Sequence, residues 1–269
     1  MPIGIITGSG TYALPDFDAG DPAAVDTPWG EAQVTQGTLA GVEVLHISRH
    51  GPGHRRLSSG VNHRANAFAL RELGATAVLG CTACGAVDPS LELGSLVIFD
   101  DLHFISNRLP SGELCTFFAG EGDPARAHWV LHGGPFSERL RACLEGAAAA
   151  AGLGHRGHGT YGHVDGPRFN TPTEIAQLAA CGVSAVSQTG GPETVLCGEL
   201  ELPYALIGFV TDYANEVVPG DPTPVATLTE LMGRSSGVFA EVLRRSLPNL
   251  AADPPRPAGT LLRFGAGHA

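Results

Sequence analysis

The sequence has no long hydrophobic run. Across its 269 residues no apolar stretch reaches about 18 residues, and no basic segment precedes an apolar one at the N-terminus. A membrane-spanning helix needs such a run, and a secretory leader needs that N-terminal order. We therefore expect a soluble, cytoplasmic protein without a membrane partner.

Basic residues are also scarce. Sixteen Lys and Arg stand against 27 Asp and Glu, which gives a formal net charge of −11. Because nucleic-acid backbones bind basic surfaces, we expect no nucleic-acid partner. A small anion can still bind in a pocket, since a few arginine, histidine and backbone N–H donors decide that locally.

The cysteines do not complete a metal site. The segment Cys81–Cys84 has the spacing of a redox or half-zinc motif, but no second cysteine pair or histidine pair accompanies it. We interpret all the cysteines as buried, reduced thiols. They are Cys81, Cys84, Cys115, Cys143, Cys181 and Cys197.

Apolar runs that end at glycine-rich or polar turns predict an α/β fold. No internal repeat and no linker divides the chain, so we expect one domain over residues 1–250 and a Pro/Gly-rich, loosely held tail over 251–269. The predicted strands are Pro2–Thr7, Val42–Ser48, Ala75–Gly80, Leu96–Phe99, Gly159–Val164, Val183–Ser187 and Leu202–Thr211. Helices are predicted at Val61–Leu73, at Phe136–Ala151, from Thr171, from Glu193, and from Pro224 to about Leu247.

Local signals mark two of these helices and one long connection. Thr171 and Glu174 form a capping box around Pro172, while the segment Asp221–Pro224 marks the final helix with Thr223 as its cap. The inner face of that helix is predicted to carry Val225, Leu228, Met232 and Val238. Residues 103–134 are irregular and rich in aromatic residues and histidine, which is typical of a lid, a binding loop or a subunit contact.

Polar turns follow several strands. The strand that begins at Val183 ends in Gln188-Thr189-Gly190-Gly191-Pro192, and open α/β sheets bind ligands at such ends. A hydroxyl and an amide there suit a phosphate or a sugar, although a strand–turn–helix junction without a ligand explains the turn equally well. The basic loop Pro52–Arg56 is either a solvated surface loop or part of an anion site.

Taken in order and spacing, six such segments resemble the trimeric purine nucleoside phosphorylases, especially the 5′-methylthioadenosine phosphorylase branch. They are Gly8-Ser9-Gly10, Arg49-His50-Gly51, Thr82-Ala83-Cys84-Gly85, Gly166-Pro167-Arg168-Phe169, Gln188-Thr189-Gly190-Gly191-Pro192-Glu193 and Thr211-Asp212-Tyr213. The resemblance implies a single α/β domain with a central mixed, partly closed sheet flanked by helices. It also implies a homotrimer with sites near the subunit interface, and phosphorolysis of a purine nucleoside without a metal or organic cofactor.

The resemblance assigns an anion site. Inorganic phosphate, the co-substrate, would displace the purine from C1′ of the sugar, and arginine, hydroxyl and backbone N–H groups are suitable donors to it. The implied phosphate-binding residues are Ser9, Arg49, His50, Thr82, Ala83 through its N–H, and Thr189. Gln188 stands where the family has a methionine beside the ribose hydroxyls, so it could add a sugar hydrogen bond.

The resemblance also assigns the base site. Phe169 would stack on the purine, although an apolar ring just before a helix can instead be a hydrophobic staple. Asp212, protonated in a dry pocket, would donate to N7 and accept from a 6-amino group, which favours adenine. Two departures weaken that preference: Ala214 replaces a second aspartate of the adenine-specific branch, and Asn170 replaces its serine.

At the 5′ end of the sugar, Val225 and Leu228 fall where the methylthioadenosine branch is apolar. An apolar wall excludes a buried hydroxyl and accepts a methylthio group, although both residues could simply pack in the core. His128, or Trp129, would close this pocket from a neighbouring subunit.

Four functions remain open at this point. The leading interpretation is a phosphorylase of 5′-deoxy-5′-substituted adenosines, most simply methylthioadenosine. Its nearest rival is a 6-oxopurine enzyme acting on methylthioinosine, inosine or guanosine. A non-catalytic purine-binding protein or a nucleoside hydrolase has no use for a phosphate site, so the phosphate-binding residues count against both.

Overall fold

The computed structural model describes residues 1–118, 120, 125–220 and 222–264. Within them the chain contains the seven predicted strands, five of them with shifted bounds, and six further strands. The helices are α1 (His63–Glu72), α2 (Glu138–Ala150), α3 (Pro172–Ala180), α4 (Gly190–Glu199) and α5 (Val225–Ala252). The strands are β1 (Ile3–Thr7), β2 (Asp18–Thr27), β3 (Gly30–Leu39), β4 (Val42–Ser48), β5 (Val78–Ala86), β6 (Leu96–Ile98), β7 (Asp101–His103), β8 (Ala127–Val130), β9 (His155–Arg156), β10 (Thr160–His163), β11 (Val183–Ser187), β12 (Tyr204–Tyr213) and β13 (Thr260–Arg263).

Eleven strands form one mixed sheet that branches at β5. Its main path runs β2-β3-β4-β1-β5-β11-β10-β7, and β12, β6 and β9 extend from the other edge of β5. The branch arises because β5 is longer than β1. The short β1 pairs with Val78–Gly80, and β11 pairs with the same edge of β5 farther along, at Gly85 and Ala86. The sheet is mixed as predicted, but it is open rather than partly closed, since its end strands do not pair with one another.

The sheet is covered on both faces, as its nearly continuous apolar strands require. On one face α1 and α4 contribute Leu70 and Leu196 to a buried cluster. On the other, α2 and α5 contribute Leu144 and Val242 to a second. The protein is therefore a single α/β domain with one layer of helices on each side.

The final helix is rotated relative to the prediction. Its core-facing residues are Leu231, Ser235, Phe239 and Val242, whereas Val225 is 79% exposed. Of the other predicted inner residues, Val238 packs partly buried against this cluster, and Leu228 and Met232 are half-buried at the cavity.

Helix ends agree with the prediction in one case and differ in another. The Thr171–Glu174 capping box is present at α3. At α5 the cap is Pro224, not Thr223, because the Thr223 hydroxyl instead accepts a hydrogen bond from the Tyr213 N–H at 2.9 Å. Asp221, part of the same predicted signal, lies outside the described residues.

The tail and the long connection pair with each other, against the prediction of a loosely held tail. Strand β13 lies antiparallel to β8 in a separate two-stranded sheet, and α5 continues to Ala252, past the expected boundary at 250. Residues 265–269 lie outside the described part. The hairpin β2–β3 was missed because most of its side chains are exposed, which leaves β2 without an apolar pattern.

The cysteines are free, and all but Cys181 are buried. That exposed thiol departs from the prediction, because it follows α3 at the surface. No helix among the described residues has the length and apolar character needed to cross a membrane.

Candidate active site

A cavity of about 400 Å³ opens where β5, β11 and β12 meet the turn after β1 and the first turns of α5. Its walls bring together all but three of the residues singled out from the sequence. Those that line it are Ser9, His50, Thr82, Ala83, Phe169, Asn170, Gln188, Thr189, Asp212, Ala214 and Leu228. The other three are Arg49, Val225 and His128.

One end of the cavity is rich in neutral hydrogen-bond donors. Thr82 lies inside β5 rather than after it, and its hydroxyl is 3.0 Å from that of Ser187. Thr189 precedes the first turn of α4 and is 3% exposed. Within the described residues, the Ser9 and Thr189 hydroxyls have no hydrogen-bond partner in the protein, so they are available to a ligand. We call this part of the cavity the anion end.

His50 lies at the anion end as a neutral ring. Its Nδ1 donates to the Arg56 carbonyl at 2.9 Å, and its ring stacks on His54 with centroids 4.2 Å apart. Burial, reinforced by the nearby Arg49 charge, lowers the His50 pKa to about 4. With its proton on Nδ1, neutral His50 leaves Nε2 as an acceptor.

Arg49 does not reach the cavity. It is 1% exposed, and its Nε and Nη2 bind the two carboxylate oxygens of Glu193 at 2.6 and 2.9 Å. Nη1 donates to the Cys81 carbonyl at 2.8 Å, and Nη2 also reaches the Ile6 carbonyl at 3.3 Å. All three guanidinium nitrogens thus make hydrogen bonds within the protein, and the direct contact with phosphate stays a prediction.

A second part of the cavity is built around Asp212, and we call it the nucleoside end. The Thr211 hydroxyl donates to Asp212 Oδ1 at 2.7 Å. Burial raises the Asp212 pKa, and the Thr211 hydrogen bond only partly opposes that shift. Gly85 faces this carboxyl so closely that a Cβ there would lie 3.0 Å from Oδ2. The absence of a side chain at Gly85 thus makes room for Asp212.

Gln188 is held by its surroundings. Its Oε1 accepts from the Ser58 hydroxyl at 2.7 Å, and its Nε2 donates to the Arg168 carbonyl at 3.0 Å. A hydrogen bond from Gln188 to a sugar would have to share or replace one of these. The amide therefore ties together the two loops that flank the cavity.

The rim of the nucleoside end is exposed. Phe169 has 66% of its surface accessible, and it follows Arg168, which pairs with Glu174 through two hydrogen bonds of 2.7 and 2.8 Å. The Asn215 side chain donates to the Asn170 carbonyl at 2.5 Å. Phe169 thus lies at the mouth of the cavity and is not buried as a hydrophobic staple.

Two residues assigned to the 5′ pocket lie elsewhere in this chain. Val225 is exposed at the start of α5, one turn before Leu228, which does line the cavity. His128 is exposed on β8 against Phe264, and the Trp129 indole donates to the Ala258 carbonyl at 2.9 Å. Neither His128 nor Trp129 faces the cavity of its own chain.

Sequence reasoning missed several cavity residues. Tyr12 and His54 join across the opening by a 3.1 Å hydrogen bond between the Tyr12 hydroxyl and His54 Nδ1. Leu57 and Met232 also line the cavity. The basic loop containing His54 was a usable signal, whereas nothing local distinguishes Tyr12.

With the geometry established, comparison with known proteins identifies the class. Residues 2–248 match the model of the phosphorylase superfamily, and the chain belongs to that family. It is 36% identical over 253 residues to S-methyl-5′-thioadenosine phosphorylase of Mycobacterium tuberculosis, a match that covers 93% of this chain and 89% of the relative. It is 33% identical over 249 residues to 6-oxopurine nucleoside phosphorylase of Pyrococcus furiosus. That match covers 91% of this chain and 92% of the relative.

A solved structure gives the same result. Methylthioadenosine phosphorylase from Schistosoma mansoni, in complex with adenine, superposes with a TM-score of 0.84 at 28% identity. The match covers 94% of this chain and 93% of that one. These relatives together support purine nucleoside phosphorylase activity, and their names divide between 6-amino and 6-oxo substrates.

Proposed function

We propose that this protein cleaves 5′-deoxy-5′-substituted adenosines with phosphate, most simply 5′-methylthioadenosine, giving adenine and 5-methylthioribose 1-phosphate. The observation that carries the proposal is Asp212, a buried carboxyl with a raised pKa on the cavity wall. The similarity to both classes of relative supports phosphorolysis, and Asp212 supports the choice of adenine.

Asp212 suits adenine because of where its proton would be. The Thr211 hydroxyl already donates to Oδ1, which leaves Oδ2 to carry the acid proton. The neutral carboxyl would donate that proton to N7 and accept from the 6-amino group. A 6-oxopurine offers an oxygen acceptor instead of that amino donor, so it matches this pair of groups less well.

The reaction itself needs no covalent enzyme intermediate. A phosphate oxygen forms the new bond to C1′ as the C1′–N9 bond breaks, and the purine keeps the electron pair and takes a proton at N7 from Asp212. The enzyme contributes position and electrostatic stabilisation. We assign Phe169 to the purine face, with Asn170 beside it.

We assign the phosphate to the anion end of the cavity. The hydroxyls of Ser9, Thr82 and Thr189 and the N–H of Ala83 would donate to its oxygens. His50 Nε2 would accept a hydrogen bond from the P–OH group of hydrogen phosphate, since the other ring nitrogen is already donating.

We assign the 5′-methylthio group to the apolar wall of the cavity. Leu57, Leu228 and Met232 line it, and burying a 5′-hydroxyl against them without a partner would be unfavourable. Val225 is too exposed to contribute. This apolar wall supports a thioether rather than an ordinary riboside.

We also propose a homotrimer in which a neighbouring copy covers the rim. Phe169 and Leu57 are 66% and 52% exposed at the opening, and a neighbour would bury them. His128 or Trp129, on the strand β8, would approach from that second copy.

A 6-oxopurine substrate is the second candidate. Ala214 leaves Asp212 without a neighbouring carboxylate on the cavity wall, and the amide of Asn215 lies at the rim beside Asn170. The side-chain amide of an asparagine can donate an N–H to a 6-oxygen. Asp212 can donate to that oxygen only with its single acid proton.

A substrate comparison tests the proposal. Base release is measured from methylthioadenosine, methylthioinosine and adenosine, each with and without inorganic phosphate. We expect release only with phosphate and the highest kcat/KM for methylthioadenosine. Preference for methylthioinosine would favour the second candidate, and release without phosphate would contradict phosphorolysis.

A further inference from the structure

Phe169, which we assign to the purine face, is not fixed by packing of its ring. The ring is 66% exposed at the mouth of the cavity, and the preceding Arg168 is exposed as well. A ring that is already in position binds a purine better, because ordering a side chain on binding costs free energy. The order must therefore come from the backbone that carries Phe169.

Two amide side chains hold that backbone, one on each side of Phe169. Gln188 Nε2 donates to the carbonyl of Arg168, the residue before the ring, at 3.0 Å. Asn215 Nδ2 donates to the carbonyl of Asn170, the residue after it, at 2.5 Å. Gln188 follows β11 and Asn215 follows β12. The two bonds therefore connect the loop that carries Phe169 to the ends of two strands.

Gln188 is itself held by Ser58. Its Oε1 accepts a hydrogen bond from Ser58 Oγ at 2.7 Å, and Ser58 is 7% exposed. Because a carbonyl can only accept, the bond to Arg168 fixes which end of the amide carries the N–H groups, and Oε1 then faces the serine. The amide is thus held at both ends.

The backbone leaves room for this contact at Gly166. A Cβ at that position would lie 2.0 Å from Gln188 Oε1 and 2.2 Å from Ser58 Oγ. A residue with a side chain would displace the pair, since Cβ atoms do not approach other atoms so closely. Gln188 and Ser58 therefore lie directly against the loop that leads to Phe169.

We propose that Gln188 and Ser58 are positioning residues that hold Phe169 for the purine, and that the Gln188 side chain does this instead of binding a sugar hydroxyl. This inference rests on the proposed function, which places the purine on Phe169. A group that contacts the substrate keeps its geometry when a supporting shell of hydrogen bonds locks its surroundings. Ser58 acts through Gln188, and Gln188 acts through the Arg168 carbonyl.

The alternative is that Gln188 leaves these partners and binds a hydroxyl of the ribose. The two possibilities differ in the substrates that a variant affects. If Gln188 binds a hydroxyl, Gln188→Met should have no effect on the deoxy analogue that lacks that hydroxyl. If Gln188 holds Phe169, the variant should weaken all these nucleosides alike, because they present the same purine.

The experiment compares wild type and Gln188→Met with methylthioadenosine and its 2′-deoxy and 3′-deoxy analogues at saturating phosphate. We expect the KM to rise about tenfold for all three nucleosides, as for the loss of both hydrogen bonds of the amide. The KM for phosphate should stay within about twofold of wild type. For an analogue that turns over slowly, the inhibition constant against methylthioadenosine takes the place of the KM. No rise, or a rise that disappears with one deoxy analogue, would overturn the proposal.

Ser58→Ala provides a second route, which keeps the Gln188 amide. The nucleoside KM should rise about threefold, since the amide loses one of its two partners. If Gln188 bound a sugar hydroxyl, release of Oε1 would lower the KM or leave it unchanged, and either result would contradict the proposal. The double variant should match Gln188→Met alone because Ser58 acts through Gln188. Additive effects would show that Ser58 acts independently, against the proposal.

Ser95→Ala is the matched control. Ser95 is half-buried away from the cavity, and its hydroxyl donates one hydrogen bond, to the Glu92 carbonyl at 2.7 Å. This variant should leave the nucleoside KM within about twofold of wild type. An equal rise in Ser58→Ala and Ser95→Ala would mean that the loss of any such bond has this effect, which would also overturn the proposal.

Base release by the wild type is measured first, with and without phosphate. Release without phosphate would refute the proposed function, whereas the variants test only how Phe169 is held.

Discussion

The two ends of the cavity are constructed differently. At the anion end, Thr82 and Thr189 are each 3% exposed, and behind them lies the Arg49–Glu193 pair, which is buried just as deeply. At the nucleoside end, Phe169 is 66% exposed and is carried by a surface loop. The donors that we propose for phosphate are thus held by the core of the domain, while Phe169, which we propose for the purine, lies at its periphery.

Under the proposed function, this difference would separate the phosphate site from the groups that select the nucleoside. Phosphate presents the same oxygens with every nucleoside, so its site can be rigid and built from strands. The purine and the 5′ group vary, and loop residues can change without disturbing the core. Relatives with similar overall identity but different named substrates are consistent with that division.

Acid should have the largest effect, which is a loss of folding stability. Burial lowers the folded-state pKa values of four histidines. The Arg49 charge adds to this at His46, His50 and His63. The values are about 4 for His46 and His50, about 3 for His163, and well below 6.5 for His63.

Since the unfolded chain takes up these protons near pH 6.5 and the folded protein does not, the stability present above that pH is lost as pH falls toward about 4. Each histidine contributes about 1.4 kcal/mol per pH unit in its window. Urea unfolding between pH 7.5 and 5 measures the slope. His163→Gln should reduce it and the exposed His132→Gln should not; a flat profile would contradict the prediction.

Asp212→Asn should give the next largest effect, confined to the nucleoside end. The amide cannot supply an acid proton to N7, so kcat/KM for methylthioadenosine should fall by about a hundredfold or more. Because the amide N–H can turn toward a 6-oxygen, the ratio of methylthioinosine to methylthioadenosine activity should rise. Measurement of both substrates with both proteins decides this, and an unchanged ratio would show that Asp212 does not contact the base.

Leu228→Ser should have the smallest effect, limited to the 5′ pocket. A hydroxyl on that wall offers a partner to the 5′-hydroxyl, so the preference for methylthioadenosine over adenosine should drop about tenfold. Val225→Ser is the control one turn earlier on the exposed face, and it should change the ratio by less than about twofold. Equal changes in the two variants would mean that the 5′ group does not lie against Leu228.

Much of this protein follows from the sequence by itself. Apolar runs and turn residues predict the seven strands that form most of the sheet, the Thr171–Glu174 capping box predicts the start of α3, and the ordered polar turns indicate the family. These signals are local: each depends on the side chains of a few neighbouring residues, and periodicity and capping act over that range. Several of the eleven singled-out residues that line the cavity, such as Ser9, His50 and Thr189, follow strands, and strand ends are where α/β sheets bind ligands.

Only the tertiary structure decided which side chains meet across the chain. Arg49 follows a strand as a phosphate ligand might, yet its partner is Glu193, 144 residues away. Leu228 and Val225 lie one turn apart on α5, and the packing of that helix brings only Leu228 to the cavity. The tail pairs with β8, about 130 residues earlier. Such outcomes depend on long-range register and on competition among distant partners, which no local pattern encodes.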